Sequence, residues 1–240
     1  MTDTSSGLCV RDVRAGYRDV EILRGVSMNI KPGETVAVLG SNGCGKSTLA
    51  KTLMGLTNQT SGQIEWNGHD ITSSGTSTRA NLGFGYVPQV GPVFGSLSVH
   101  DNLLLCNRRK ARSQRQRNLD SAYEMFPRLY ERRRISAGNL SGGERRMLGL
   151  ASVVLQDPKL LILDEPTSDL SPVAIDLVLE KIVSIRDLLR IPVLLVEQNV
   201  RYALEIGDRV CVLIRGEVAV DRRAGEIDMS ELAGWFLGHR

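Results

Sequence analysis

The chain has 240 residues, enough for one substantial domain with an insertion or for two small ones, and a formal net charge of +3, too weak to argue for a nucleic-acid partner. Hydrophobic residues make up 42% and charged residues 24%, ordinary for a soluble globular protein. No apolar run reaches the ~18–20 residues needed to span a bilayer, so the chain is not expected to cross a membrane by itself.

No apolar stretch follows a basic start, so no signal peptide is expected. Cys9, Cys44, Cys106 and Cys211 are scattered, with no C-x-x-C pair. That usage points to a reducing, intracellular setting.

In chain order, residues 1–6 are polar and expected to fray. Residues 8–16 read as a strand, and Tyr17 follows before a charged turn. Its ring reads equally as a half-exposed strand residue or as a flat surface on which adenine stacks. Residues 20–30 form a second strand region, closed by the turn Lys31-Pro32-Gly33-Glu34.

The apolar run 35–39 then leads into Gly40-Ser41-Asn42-Gly43-Cys44-Gly45-Lys46-Ser47-Thr48, and residues 47–54 open a helix. Strand, glycine-rich turn and helix start, in that order, fit the phosphate-binding loop G-x-x-x-x-G-K-[ST]. Gly40, Gly43 and Gly45 permit positive φ and close approach to a ligand. Successive backbone N–H groups form an anion nest, and the helix start adds unsatisfied donors. Lys46 supplies a full charge for the β- and γ-phosphates of a nucleotide, and the Ser47 hydroxyl can hold Mg²⁺.

Gly55 ends the helical periodicity. Residues 57–62 read as a polar loop, 63–68 as a short strand and turn, and 72–78 as a second loop. Residues 84–89 are a short strand ending in Gln89. That amide is either a solvated loop residue or a ligand to Mg²⁺ and the attacking water. Residues 91–156 have a helical texture and read as an insertion in an otherwise alternating α/β chain. Ten Lys or Arg fall between Arg108 and Arg134, against the acids Asp120, Glu124 and Glu131. Pro127 interrupts the helical pattern.

Within the insertion, Leu140-Ser141-Gly142-Gly143-Glu144 precedes Met147, Leu150, Ala151 and Val154 at helical spacing. Ser141 with Glu144 is a capping box. The paired glycines ask for more, because glycine is a poor helix former. Gly142 and Gly143 strip side chains from a helix start and leave bare donors to meet a phosphate.

Residues 159–165 form an unbroken apolar run ending in Asp164-Glu165. Such a run reads as a strand buried on both faces of a parallel sheet, and ligands bind at the carboxyl ends of such strands. Asp164 suits Mg²⁺, and Glu165 suits polarising a water for in-line attack. Ser171-Pro172 starts a helix whose core face is Ile175, Val178, Leu179, Ile182, Ile185 and Leu189. Residues 192–196 are another buried strand, ending in Glu197-Gln198-Asn199. A helix follows over 200–206, then a hairpin of 208–214 and 218–220 about a turn at 215–217. The tail, 230–240, reads as a short amphipathic helix.

Tyr17, the phosphate loop, Gln89, Leu-Ser-Gly-Gly-Glu and Leu-Ile-Leu-Asp-Glu, in this order and spacing, resemble the ATP-binding subunit of an ABC transporter over nearly the whole chain. Gly85-Tyr86-Val87-Pro88-Gln89, Met125-Phe126-Pro127-Arg128-Leu129, Leu140-Ser141-Gly142-Gly143-Glu144 and Val196-Glu197-Gln198-Asn199 are similar to the ATPase subunits of branched-chain amino acid importers, and of urea and short-amide importers. The resemblance implies an α/β fold: a P-loop NTPase core with a mainly parallel central sheet, an N-terminal antiparallel β subdomain and a helical insertion. The whole chain, 1–240, is then one nucleotide-binding domain, with 1–90 and 157–240 as the ATP-binding core and 91–156 as the helical signature subdomain.

The resemblance further implies ATP and Mg²⁺ as cofactors. ATP would lie between the phosphate loop of one cassette and Ser141-Gly142-Gly143 of another. Glu165 would be the general base, Tyr17 would take adenine, and Ser47, Gln89 and Asp164 would serve the metal. Implied partners are transmembrane permease subunits, a second ATP-binding subunit (the same or different) and, indirectly, an extracytoplasmic solute-binding protein, at the cytoplasmic face of the membrane. No nucleic acid is expected. The basic run is a solvated face or a surface near anionic lipid headgroups.

Three departures from the family pattern stand out. Gln198 stands where the family usually has a His that contacts the γ-phosphate, although the branched-chain subgroup often has Glu-Gln-Asn there. Ser171 stands where many members have Asp, with Asp169 two residues earlier. Arg145-Arg146 replaces the subgroup's commoner Gln-Gln. The departures at Gln198 and Ser171 keep open a low-turnover regulatory module. The alternative from another class, a soluble cassette acting on nucleic acid or ribosomes, usually carries fused cassettes or a long coiled coil, and this sequence shows neither.

Overall fold

A computed structural model describes residues 6–108 and 111–228. The expectations for residues 1–5 and for the tail helix at 230–240 lie outside the described residues.

The strands are β1 (Leu8–Tyr17), β2 (Val20–Ile30), β3 (Thr35–Leu39), β4 (Asn58–Trp66), β5 (His69–Asp70), β6 (Phe84–Val87), β7 (Leu160–Asp164), β8 (Val193–Val196), β9 (Arg209–Ile214) and β10 (Glu217–Arg223). The helices are α1 (Lys46–Leu53), α2 (Thr76–Asn81), α3 (Val99–Asn107), α4 (Arg112–Met125), α5 (Pro127–Glu131), α6 (Gly142–Val154), α7 (Pro172–Leu189) and α8 (Val200–Ile206).

Two sheets organise the chain. An antiparallel sheet has the order β2-β1-β4-β5, and a six-stranded sheet has the order β10-β9-β3-β8-β7-β6. In the larger sheet β9, β3, β8, β7 and β6 pair in parallel, and β10 closes the edge antiparallel to β9. Every residue of β3, β7 and β8 is buried. That explains why their sequences are unbroken apolar runs rather than alternating ones. Their carboxyl ends, Leu39, Asp164 and Val196, lie side by side, so the loops after them share one edge of the sheet.

Two apolar clusters flank the sheet. One joins β1, β2 and α1 to one face of the central strands, through residues such as Leu23, Leu49 and Ile162. The other joins α6, α7 and α8 to the opposite face, through Leu150, Ile182 and Leu195. Among the described residues no helix is long and apolar enough to cross a membrane.

Several elements differ from the sequence expectation. Residues 57–62, read as a loop, lie mostly in β4, which starts at Asn58 because its backbone pairs with Ala15 and Gly16 of β1. Its first residues are largely exposed, so tertiary pairing overrides their polar chemistry. The loop expected over 72–78 contains the start of α2, held by Arg79. That guanidinium, buried to 2% exposure, donates to the carbonyls of Thr52, Leu53, Ile71, Thr72 and Ser74. The return strand of the last hairpin runs from Glu217 to Arg223, longer than expected. Leu189, expected in the core, is exposed at the end of α7, where Arg190 turns the chain left-handed at φ 50°.

Candidate active site

The loop between β3 and α1 and the carboxyl end of β7 converge. Ser47 Oγ donates to Asp164 Oδ1 at 2.8 Å. Gln89 Nε2 donates to Glu165 Oε2 at 2.7 Å. Lys46 Nζ donates to the carbonyls of Gly40 (2.9 Å) and Ser41 (3.2 Å) and lies 3.7 Å from Glu165 Oε1, with both side chains largely buried. A cavity of about 380 Å³ is bordered by Tyr17 and Ile22, by Asn42, Gly43, Gly45, Lys46, Ser47 and Thr48, and by Gln89 and Glu165.

The glycines of the loop divide their work. Gly43 has φ 77° and open space where a side chain would go, so it is the one whose bare backbone faces outward. Gly40 and Gly45 face inward. A Cβ on Gly40 would lie 2.4 Å from the Leu213 carbonyl oxygen and 2.5 Å from Cys44 Sγ, and one on Gly45 would press Ile22, Leu23 and Leu213. Ser41 and Asn42 are exposed on the rim. Cys44 turns its thiol into the core, where burial pushes its pKa up against the opposing pull of Lys46.

Glu165 sits in the left-handed region at φ 48°. For a non-glycine residue that conformation costs of order ~1–3 kcal/mol and persists only where the surroundings over-determine it. They do here. Its N–H donates to the Val196 carbonyl at 2.9 Å. Its carbonyl accepts from Ser168 Oγ at 3.0 Å and from the Arg146 guanidinium at 3.3 Å.

Not all the expected residues meet here. Tyr17 borders the cavity, 41% exposed, with Lys51 Nζ 6.0 Å from its ring centre. Gln198 is exposed at the end of β8 and is not among the residues bordering the cavity. Ser141 and Gly143 border a different, more apolar cavity of about 600 Å³ with Phe126, Pro127, Met147 and Leu177. The capping box is formed: Ser141 Oγ accepts from the Glu144 N–H at 3.2 Å, and Glu144 accepts from the Ser141 N–H at 2.9 Å. That contact holds the Glu144 carboxyl below its usual range. The glycine pair also has a reason inside this chain. A Cβ on Gly143 would lie 2.9 Å from Ala174 Cβ, and one on Gly142 would lie 3.0 Å from the Leu170 side chain.

Three polar residues of the site escaped the sequence reading. Tyr86 OH donates to Asp164 Oδ2 at 3.2 Å, and burial first, then Asp164, push its hydroxyl pKa up. In the sequence it stood only within Gly85-Tyr86-Val87-Pro88-Gln89, with no role of its own. Glu197, 2% exposed, accepts from Thr167 Oγ1 (2.8 Å) and the Thr167 N–H (3.2 Å), and burial raises its pKa. It carried the same signal as Asp164, an acid closing an unbroken apolar run. Arg146, 6% exposed, reaches from α6 to the ends of β6 and β7.

Among the described residues no cluster of three or more His, Cys, Asp or Glu could hold a metal by itself. One hydroxyl and one carboxylate do converge at Ser47 and Asp164. That hard-oxygen pair suits a small divalent cation whose other ligands are phosphate oxygens and water.

Comparison with known proteins bears on the chain as a whole. The profile of a family described as ABC transporter matches residues 23–168. A probable branched-chain amino acid transport ATP-binding protein, LivF, of Archaeoglobus fulgidus is 41% identical over 90% of this chain and 91% of its own length. A high-affinity branched-chain amino acid transport ATP-binding protein, BraG, of Pseudomonas aeruginosa is 38% identical over 92% of this chain and 95% of its own. A solved structure described as the ATP-binding subunit of an ABC transporter superposes with a TM-score of 0.79 at 26% identity, covering 98% of this chain and 95% of that one.

Proposed function

The chain belongs to the ABC transporter family, and from that premise we propose that it is the ATPase subunit of an importer for branched-chain amino acids. ATP binding and hydrolysis come with the family, and ATP-binding subunits of ABC transporters work with membrane permeases. The choice of solute is carried by the similarity to the LivF and BraG proteins over nine-tenths of the chain. In this reading the subunit sits at the cytoplasmic face of the membrane and pairs with a second, different cassette. An extracytoplasmic binding protein delivers the solute to the permease.

The centre of the proposed chemistry uses residues already in contact: Ser47 with Asp164, Gln89 with Glu165, and Lys46 beside Glu165. The backbone N–H groups of residues 41–48 cradle the phosphates, and Lys46 balances their charge. Ser47 and Asp164 hold Mg²⁺, which when bound offsets negative charge on the phosphate oxygens. Glu165 accepts a proton from the attacking water as its oxygen bonds to the γ-phosphorus and the bond to ADP breaks. Gln89, bonded to Glu165, fixes where that carboxylate points. Tyr17 stacks on adenine, and Gln198 donates to the γ-phosphate. Ser141, Gly142 and Gly143 meet the nucleotide of the partner cassette, which fits their lying outside the cavity at this chain's own loop. ATP would favour the closed pair by differential affinity.

The test is affinity capture of the tagged chain from gently solubilised native membranes, joined to uptake of labelled leucine. A co-purifying permease and second cassette, with uptake lost on deletion and restored by the wild-type chain but not by Glu165→Gln, is the expected result. Capture of soluble partners alone, or leucine uptake untouched by deletion, would overturn the reading.

A further inference from the structure

Arg146 is a buried cation that, among the described residues, no carboxylate side chain holds directly. It lies in the first turns of α6, two residues past the capping Glu144, and is only 6% exposed. Burying a guanidinium is costly unless its donors are satisfied. Here they go to main-chain carbonyls: Nη1 donates to Pro88 O at 2.9 Å, and Nη2 to Gln89 O and to Glu165 O, each at 3.3 Å. One planar fork thus joins three segments: the helix that begins with Ser141-Gly142-Gly143, the end of β6 and the end of β7. Two of its acceptors belong to the residues whose side chains meet at 2.7 Å, Gln89 and Glu165. The third relationship is strain, since the Glu165 carbonyl it holds belongs to a left-handed residue.

We propose that Arg146 is a positioning residue for ATP hydrolysis: by clamping the backbones of Gln89 and Glu165 it sets their side-chain contact and ties that contact to the orientation of α6. A rotation of α6 would carry the guanidinium with it and release both carbonyls together. The helix that offers its glycine start to a partner cassette would in this way govern the geometry of its own chain's catalytic carboxylate. Burial lowers the Arg146 pKa, while Glu197, Asp164, Asp169 and Glu165 oppose that shift, and a guanidinium stays charged in proteins. Lysine cannot reproduce the link, because an ammonium is a point donor rather than a fork.

The inference rests on the ATPase reading. The experiment uses the full chain with its permease: kcat and KM for ATP, affinity for a fluorescent ATP analogue, and thermal unfolding. The variants are Arg146→Met, Arg146→Lys, Gln89→Ala and the Arg146→Met/Gln89→Ala pair. A small displacement of catalytic groups can cost up to about 100-fold, so Arg146→Met is expected to lower kcat roughly 10- to 100-fold with analogue affinity unchanged. Gln89→Ala should add little on top of it, and Arg146→Lys should recover only part of kcat. If Arg146→Met does not fold, Arg146→Lys carries the test, with reduced kcat at wild-type affinity and Tm as the expected result.

A kcat within twofold of wild type, a parallel loss of affinity and turnover, or losses that simply multiply in the double variant would each overturn the proposal. Absence of hydrolysis by the wild-type complex would instead refute the ATPase reading itself, and is told apart by being present before any substitution.

Discussion

The side chains of Gln89 and Glu165, 76 positions apart in sequence, meet at 2.7 Å at the ends of adjacent strands β6 and β7. The amide donates and the carboxylate accepts, so the proposed base is aimed by a residue on a different segment. Glu165→Gln should keep ATP affinity and lose turnover by about 10²–10⁴-fold, the usual contribution of a positioned base. Hydrolysis rates and analogue binding on the same preparation check this. Turnover within threefold of wild type would remove Glu165 from the role.

Ser47 and Asp164 share a 2.8 Å hydrogen bond, and both are proposed to hold Mg²⁺. Ser47→Ala should therefore shift the Mg²⁺ concentration for half-maximal hydrolysis upward, by roughly 10-fold or more. Titrating Mg²⁺ at saturating ATP reads this directly. An unchanged midpoint would mean that the hydroxyl serves only the fold.

The glycine pair at the start of α6 has two reasons to exist, one toward a partner and one within the chain. Gly143→Val must push against Ala174, on helix α7, and should lower stability by about 1–3 kcal/mol, as overpacking does. Gly142→Ala presses the movable end of the Leu170 side chain at 3.0 Å and meets the Asp169 carbonyl oxygen at an ordinary 3.8 Å, and should stay close to wild type. Denaturant midpoints of the separated chain measure both. Equal, wild-type midpoints would leave the partner-facing reason standing alone.

Arg79 gathers five carbonyls around one buried guanidinium. Arg79→Met removes these donors together, and unpaired buried acceptors cost about 1–3 kcal/mol each when water cannot replace the donor. A net loss of at least ~2 kcal/mol is expected, after partial rehydration of the carbonyls. The loss should appear in urea unfolding and should not lower ATP affinity of the folded fraction. A midpoint within error of wild type would show that the loop over residues 72–78 is held by other contacts.

Much of this protein was legible in one dimension. The phosphate loop is contiguous, so its strand, glycines, Lys46 and Ser47 are read from neighbours in sequence. β3, β7 and β8 announced themselves as unbroken apolar runs because both their faces are covered. The capping box at Ser141 and Glu144 is likewise a local hydrogen-bond pattern.

What the tertiary structure decided is non-local. The polar start of β4 became a strand only because β1 offered it a backbone to pair with, and α2 formed where Arg79 could reach the end of α1. The contacts of Arg146, Tyr86 and Glu197 are not visible in the sequence around them, since their partners lie 58, 78 and 30 residues away. Gly40 and Gly45 matched the motif for a reason the motif does not state: the Leu213 carbonyl, from β9, leaves no room for a side chain at Gly40, and the side-chain ends of Leu23, Ile22 and Leu213 crowd one at Gly45. Local pattern determined which residues could bind a nucleotide, and only packing between distant segments set which of them touch.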